Sequence, residues 1–291
     1  MLQIQFLLAW MAFFYNQNKQ NGNARRHALC ALTVKLYFCI ALSKKRYFIQ
    51  LAYDGSLYHG WQIQPNAITV QELLDKAMSV FFRQPIETLG CGRTDSGVHA
   101  TDFYAHFDVE DVAEAKVLNA ISGINAMLPY QIAAKRIIPV HDEAHARFDA
   151  TARAYKYYVH FEKDPFKVNR SWLLKDKLDV EAMNQAAALL LNYTDFSCFS
   201  KSNTQTFTNN CKVTNAVFEE QGDGLVFTIQ ADRFLRNMVR AIMGTLVQIG
   251  KKEINLEDFK AIIESKNRSK AGQSVPACGL YLVKIEYPYL G

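Results

Sequence analysis

From residue 46 onward the chain runs through two hydrophobic periods in a fixed order, and that order constrains the fold more than any other feature. Residues 46–52 (RYFIQLA) read as a strand, and Asp54-Gly55 is a turn signal. Thr69 stands three residues before Glu72, a capping-box pattern. Beyond it Val70, Leu73, Leu74, Ala77, Val80 and Phe81 recur at helical spacing, and Pro85 stops the helix. Residues 87–91 and 99–109 read as strands flanking a glycine-rich loop. A helix over 112–124 carries Val117, Leu118 and Ile121 on one side, and a strand covers 132–138.

The second half repeats the pattern. Residues 153–161 read as a strand with Tyr155, Tyr157, Val159 and Phe161 on one face. A helix over 180–191 follows, then a hairpin of 212–219 and 225–231 around Gly222-Asp223-Gly224. Helices over 234–248 and 256–265 precede a last strand over 279–287. Strand, helix, strand, strand, helix, strand is the split βαβ order. The expected fold is therefore α+β, with two similar split βαβ domains, 46–148 and 149–291. Their mainly antiparallel sheets are expected to pack side by side around a central cleft.

Residues 1–45 stand apart. They hold six Lys or Arg and no Asp or Glu, so the net charge of +5 becomes −1 for the remainder. Nucleic-acid binding by the body cannot rest on net charge and requires a local basic face. Residues 6–15 (FLLAWMAFFY) are apolar, and a second run over 28–42 is broken by Lys35. Both are shorter than the roughly 18–20 residues of a bilayer span. Residues 1–5 lack the basic start of a signal peptide. The segment reads as an extension: disordered or preceding the true start near Lys45, a small added packing element, or a membrane-surface anchor. The body has no spanning stretch and is expected to be cytoplasmic. The six cysteines include no C-x-x-C pair, which argues against a disulfide scaffold and a four-thiolate zinc site. His141-Asp-Glu-Ala-His145 spaces two histidines by four, but a zinc protease requires glutamate where Asp142 stands. No metal and no cofactor is expected.

Three features carry chemistry. In 90–100 (GCGRTDSGVHA) three glycines within eight residues permit a tight turn or a close ligand. Arg93 and Asp95 lie two apart, on one side if the stretch is extended. A guanidinium there would keep Asp95 ionised and aimed, which suits a nucleophile or general base. A surface turn with a local ion pair is the alternative. The spacing matches neither a dinucleotide loop nor a P-loop. Second, Arg153, Tyr155 and Tyr157 share a strand parity, as a platform for a base and its phosphate or as core rings with a rim arginine. Third, Arg233, Arg236 and Arg240 sit at i, i+3, i+7 of the expected 234–248 helix, a phosphate track or a solvated face.

Taken together, 46–65, 90–100, 145–157, 234–250 (FLRNMVRAIMGTLVQIG) and 277–287 (ACGLYLVKIEY) resemble, in order, the motifs of the tRNA pseudouridine synthase A family. Residues 1–45 have no counterpart in that resemblance. It implies a ferredoxin-like or RRM-like pair of domains and an isomerase that converts uridine to pseudouridine in the anticodon stem-loop of tRNA, at positions 38–40, without a cofactor. It implies that Asp95 is the catalytic aspartate and that Arg93 pairs with it and holds RNA. It further implies that Tyr155 stacks on the target base, that Arg240 reaches the carboxylate, and that Leu280 packs beneath the site. A homodimer acting on tRNA is the implied assembly. A non-catalytic RNA-binding protein on the same fold, or a synthase with another RNA target, are the competing readings.

Overall fold

The computed structural model describes residues 44–201 and 208–290. The expectations for residues 1–43 lie outside the described residues. The described chain has nine strands: β1 Lys45–Tyr53, β2 Leu89–Gly90, β3 His99–Val109, β4 Ile132–Pro139, β5 Ala152–His160, β6 Trp172–Leu173, β7 Val213–Gln221, β8 Gly224–Ala231 and β9 Leu280–Glu286. Its α-helices are α1 Val70–Phe82, α2 Glu114–Leu118, α3 Ile121–Asn125, α4 Val180–Leu189, α5 Met238–Gly250 and α6 Leu256–Glu264.

The strands form one continuous sheet in the order β4-β1-β3-β9-β5-β8-β7, with β2 added on β3 and β6 on β5. Each half therefore runs 4-1-3-2 when its own strands are counted, leaving out the short β6. The expected side-by-side sheets are fused, because the last strand of the chain inserts between β3 and β5. Pairing is antiparallel except at β5–β6 and at the β3–β9 seam, where His99 faces Tyr281 and Ala100 faces Leu282. The fold is α+β with a largely antiparallel sheet, as expected. Two apolar cores lie along it. One gathers Ile49, Leu51, Phe103 and Phe107 with Leu74 and Met78 of α1. The other gathers Tyr157, Phe227 and Ile229 with Met183 of α4 and Ile242 and Leu246 of α5.

Local chemistry sets the helix ends. The Thr69 hydroxyl accepts from the Glu72 N–H at 3.4 Å and starts α1. The buried stripe is Val70, Leu74, Ala77, Met78 and Phe82, whereas Val80 is 61% exposed. A seven-residue step from the half-buried Leu73 drifts around the helix, which carries Val80 off the core face. The helix expected over 112–124 divides in two. Asn119 turns its side-chain amide back onto the Ala115 carbonyl at 2.8 Å and leaves helical geometry (φ −93°, ψ 8°). The helix expected from 234 starts at Met238, because Asn237 adopts left-handed backbone (φ 66°) just before it. Arg233 and Arg236 thus lie ahead of the helix and form no helical stripe with Arg240.

Helix α1 also anchors the approach to the glycine-rich loop. Gln71 Nε2 donates to the Thr88 carbonyl at 2.6 Å, and Asp75 Oδ1 accepts from the Thr88 N–H at 3.0 Å and its hydroxyl at 2.6 Å. Burial pushes Asp75 up to about 6, against the opposing hydrogen bonds from Thr88. A carboxyl with a raised folded-state value stabilises fully below its unfolded value and loses that contribution as pH rises through about 6. An asparagine at this position would keep the acceptor without the buried charge. Asp75→Asn is therefore expected to match the parent at pH 4 and to exceed it at pH 8, by at most about 3 kcal/mol. Urea titrations at pH 4, 6 and 8 measure this, and a difference that does not change with pH contradicts it.

Candidate active site

The loop over 91–98 leaves β2 and returns into β3 beside the β3–β9 seam. Nearly every hold on it is a backbone or buried contact. Cys91 N–H donates to the Tyr104 carbonyl at 2.8 Å, and Trp61 N–H donates to the Thr94 carbonyl at 3.3 Å. The Thr94 and Tyr53 hydroxyls share a buried hydrogen bond of 2.9 Å. Gly97 N–H and the Ser96 hydroxyl both donate to the Tyr58 carbonyl, each at 3.3 Å. Val98 N–H closes the turn onto the Asp95 carbonyl at 3.1 Å, with Gly97 at φ 78°. Gly60, at φ 85°, passes so close that any Cβ there would strike the Thr94 carbonyl.

This scaffold leaves the Asp95 side chain 30% exposed between two guanidinium groups. Arg236 Nε lies 3.7 Å from Oδ1, and Arg240 Nη1 lies 3.7 Å from Oδ2. At that separation the pairs are electrostatic contacts rather than hydrogen bonds, so the carboxylate keeps its acceptor capacity. Arg240 is the better fixed of the two. Its Nε donates to the Val275 carbonyl at 2.8 Å, and it is 21% exposed against 55% for Arg236. Arg236 precedes Asn237, whose side chain donates to the Ser274 hydroxyl at 2.6 Å.

Arg93, the partner expected from sequence, is exposed and makes no ion pair with Asp95. Its place is taken by Arg236 and Arg240, from the other half of the chain. Tyr155 is partly buried and touches both apolar cores. It lies at a register shift in β5, opposite Leu282, which on its other side faces Ala100. Phe234 meets its ring edge-on, with centroids 5.1 Å apart. Burial raises its phenol well above the ordinary value, and the neighbouring Cys91 and Asp95 push in the same direction, so it stays neutral.

Two sequence expectations change at this point. Tyr157 is fully buried, its hydroxyl donates to the Pro276 carbonyl at 2.7 Å, and its ring lies against Gly279. It is a core ring and offers no face to a base. Arg153 commits its guanidinium to four backbone carbonyls, those of Arg147 (2.7 Å), Asp232 (2.9 Å), Cys91 (3.0 Å) and Ala150 (3.4 Å). It is a structural cross-link rather than a free phosphate ligand. Leu280 is buried at the start of β9, opposite Tyr157. Arg233 is partly exposed, ahead of α5.

Sequence reasoning assigned no role to two residues here. Arg147 is exposed, its carbonyl accepts from Arg153, and no spacing rule singled it out. His99 is buried four residues beyond Asp95; its Nδ1 accepts from Gly55 N–H at 3.1 Å and its ring stacks on Tyr281 at 4.4 Å. Burial pushes the nearby Cys91 thiol up to about 12, so it is no thiolate nucleophile. His141 and His145 lie in a turn, and His145 Nδ1 is taken by the N–H groups of Arg147 and Phe148.

Known proteins resolve what this arrangement belongs to. A family model described as tRNA pseudouridine synthase matches residues 186–288. The chain is 50% identical over 244 residues to tRNA pseudouridine synthase A of Parabacteroides distasonis, covering 84% of this chain and 96% of that protein. It is 50% identical over 248 residues to the protein of that name from Bacteroides fragilis, covering 85% and 98%. The protein of that name from Exiguobacterium sibiricum is 35% identical over 245 residues, covering 84% and 97%.

The chain belongs to the tRNA pseudouridine synthase A family.

It is accordingly an isomerase of the pseudouridine synthase class. Among the described residues no helix is long and apolar enough to cross a membrane. Because the loop carrying Asp95 is set by backbone contacts, it is sensitive to bulk at Gly60. Gly60→Ala combines a left-handed backbone with a clash against the Thr94 carbonyl and is expected to cost roughly 2 kcal/mol or more. Thermal denaturation measures it, and a midpoint within about 1 °C of the parent contradicts the clamped loop.

Proposed function

We propose that the chain isomerises uridine to pseudouridine in the anticodon stem-loop of tRNA, at positions 38–40, with Asp95 as the one carboxylate that acts on the ribose. The observation that carries the reading is the pair of arginines on Asp95, one to each oxygen at 3.7 Å. They bring positive charge to both carboxylate oxygens without occupying the lone pairs. The loop is held from behind, so the carboxylate presents a fixed edge to a ligand.

The chemistry follows from the isomer relation. The N1–C1′ bond breaks, the detached uracil turns while held, and C5 bonds to C1′. The proton on C5 is lost and N1 gains one, so atoms and electrons balance with no redox partner. Asp95 either attacks C1′ as the N1–C1′ pair leaves with the base, the new C1′–Oδ bond then breaking as C5 bonds to C1′, or removes the C2′ proton, giving a glycal while the N1–C1′ pair leaves with the base. In the second case the same carboxylate returns the proton after C5 has bonded. The target nucleotide must first leave its stack, at a few kcal/mol. Tyr155, neutral and partly exposed, is read as the ring that receives it. Arg240 and Arg236 hold Asp95, Arg93 and Arg233 hold RNA, and Leu280 supports the floor under β9.

The same proposal takes 46–148 and 149–291 as two related split βαβ units, supported by the 4-1-3-2 order within each half. A homodimer in the cytoplasm is the expected assembly and compartment, a second copy supplying surface for a tRNA longer than one body. A different RNA target is the alternative that the experiment separates. A carboxylate placed between two phosphate-seeking arginines only weakens RNA binding, which supports a chemical role for Asp95.

The test maps pseudouridine in an unmodified tRNA transcript after incubation with the parent, Asp95→Asn and Arg240→Ala. Parent protein is expected to modify the anticodon arm. Asp95→Asn is expected to lose at least about four orders of magnitude in rate while retaining RNA binding, a size in keeping with loss of an essential acid–base or nucleophilic group. Arg240→Ala should lose about 100-fold in rate, as removal of one charge partner from a transition state does. Full turnover by Asp95→Asn, or modification confined to another region of the RNA, contradicts the corresponding part of the reading.

A further inference from the structure

Arg153 is the most heavily used cation in the described chain, and the segments it binds share a property. Its guanidinium gathers the carbonyls of Arg147, Ala150, Cys91 and Asp232. Arg147 carries its own exposed guanidinium, Arg93 stands two residues beyond Cys91, and Arg233 follows Asp232. Three further arginines are thereby drawn to one place by hydrogen bonds that involve none of their side chains. Among the described residues, none of the three is in an ion pair with a carboxylate. Arg147 instead feels the positive charges of Arg93, Arg153 and Arg233. Its guanidinium carbon lies 5.7 Å from the centre of the Phe148 ring, which is itself 74% exposed and rests on His145.

Like charges held this close repel one another, and the Asp232 carboxylate, whose Oδ1 accepts from the Arg233 N–H at 2.7 Å, is one charge against four; a bound anion would offset the remainder. These arginines are anchored on the loop that carries Asp95 and on the segment that leads to Arg236, which puts an anion held by them beside the proposed site of reaction. A sugar–phosphate backbone supplies several anionic groups in a row next to a base, which matches guanidinium groups presented from three separate segments. We propose that Arg147, together with Arg93 and Arg233, forms a phosphodiester-binding subsite for the RNA flanking the target uridine, and that Arg153 is the positioning residue that assembles it. The subsite rests on the RNA-modifying reading above and adds Arg147, Arg153 and the exposed Phe148 ring to it. Four carbonyls arranged around one planar fork predict that lysine fails at 153: an ammonium has three donors and no fork geometry.

The experiment measures equilibrium binding of an unmodified tRNA transcript to the full chain between about 50 and 200 mM salt, with steady-state kinetics alongside. Arg147→Gln is expected to raise Kd about tenfold and to flatten the slope of log K against log salt by about 0.7–0.9, the loss of about one phosphate contact. Its kinetic defect is expected to fall mainly on KM, with kcat lowered less than about threefold. Arg147→Lys should restore most of the salt slope. Arg153→Lys keeps the charge yet is expected to lose affinity as Arg147→Gln does. A parental Kd and slope in Arg147→Gln overturns the subsite, as does a defect confined to kcat. Parental binding by Arg153→Lys overturns the positioning role; should that variant fail to fold, Arg153→Gln, read by the same slope, decides it. The RNA-modifying reading is judged separately: it fails if the parent makes no pseudouridine, whatever the binding slopes show.

Discussion

The structure hangs on a strand that arrives last. β9 closes the chain and inserts between β3 and β5, parallel to one and antiparallel to the other. Without it the two halves would be separate sheets with two open edges and an unformed site. Its parallel contact with β3 is short, only His99–Tyr281 and Ala100–Leu282, and it begins where the Asp95 loop ends. Its other side holds Tyr155 against Leu282 at a register shift. One strand thus brings together a loop and a ring separated by some sixty residues of sequence. Contacts of such long range are formed late and are slow to find, so the site matures only when the sheet closes.

Closure alone would leave Asp95 on a mobile loop. Rigidity comes from directing the polar backbone of 91–98 inward: the Trp61 and Gly97 amides, the Thr94 and Tyr53 hydroxyls, and the Arg153 fork all act on main chain or on buried groups. The Arg93 and Asp95 side chains carry none of these hydrogen bonds. A loop stabilised through its own functional side chains would have to break those bonds to work. Here the two tasks are carried by different atoms, which is how a short loop can be both fixed and reactive.

Much of this was legible beforehand, and the failures have common causes. The strands over 46–52, 99–109 and 132–138 are set by local alternation, and the start of α1 by Thr69, so reading them needed no distant partner. The breaks were missed where a side chain competes with the helix, as Asn119 does, or where a left-handed residue delays it, as Asn237 does. Tyr155 and Tyr157 have the same strand parity and opposite fates. What separates them is Gly279, which lets the Tyr157 ring slide beneath the β9 entry, and no periodicity reports a contact made 122 residues away. Arg93 and Asp95 were read as a pair because they are close in sequence. The ion pairs instead come from Arg236 and from Arg240, the latter named beforehand only through the family resemblance; both lie across the seam, where topology and not spacing brings them near.

The charge pattern resolves the last tension in the sequence, a near-neutral body assigned to a polyanion. Beyond residue 45 the chain carries one more acidic than basic group. Yet the fold brings Arg93, Arg147, Arg153 and Arg233 together through the Arg153 cross-link and sets Arg236 and Arg240 on Asp95. Spread evenly, these charges would be screened within about 8–10 Å at physiological salt and would attract RNA weakly everywhere. Gathered at one mouth, with low-dielectric walls from two apolar cores, they raise the local potential where the target nucleotide must enter. The same arrangement imposes a limit. An arginine bonded to RNA cannot also hold Asp95, so the set has to divide its labour. Arg240, fixed by the Val275 carbonyl, stays on the carboxylate; Arg153, committed to carbonyls, keeps the frame; and the exposed members are the ones the proposed subsite assigns to phosphate.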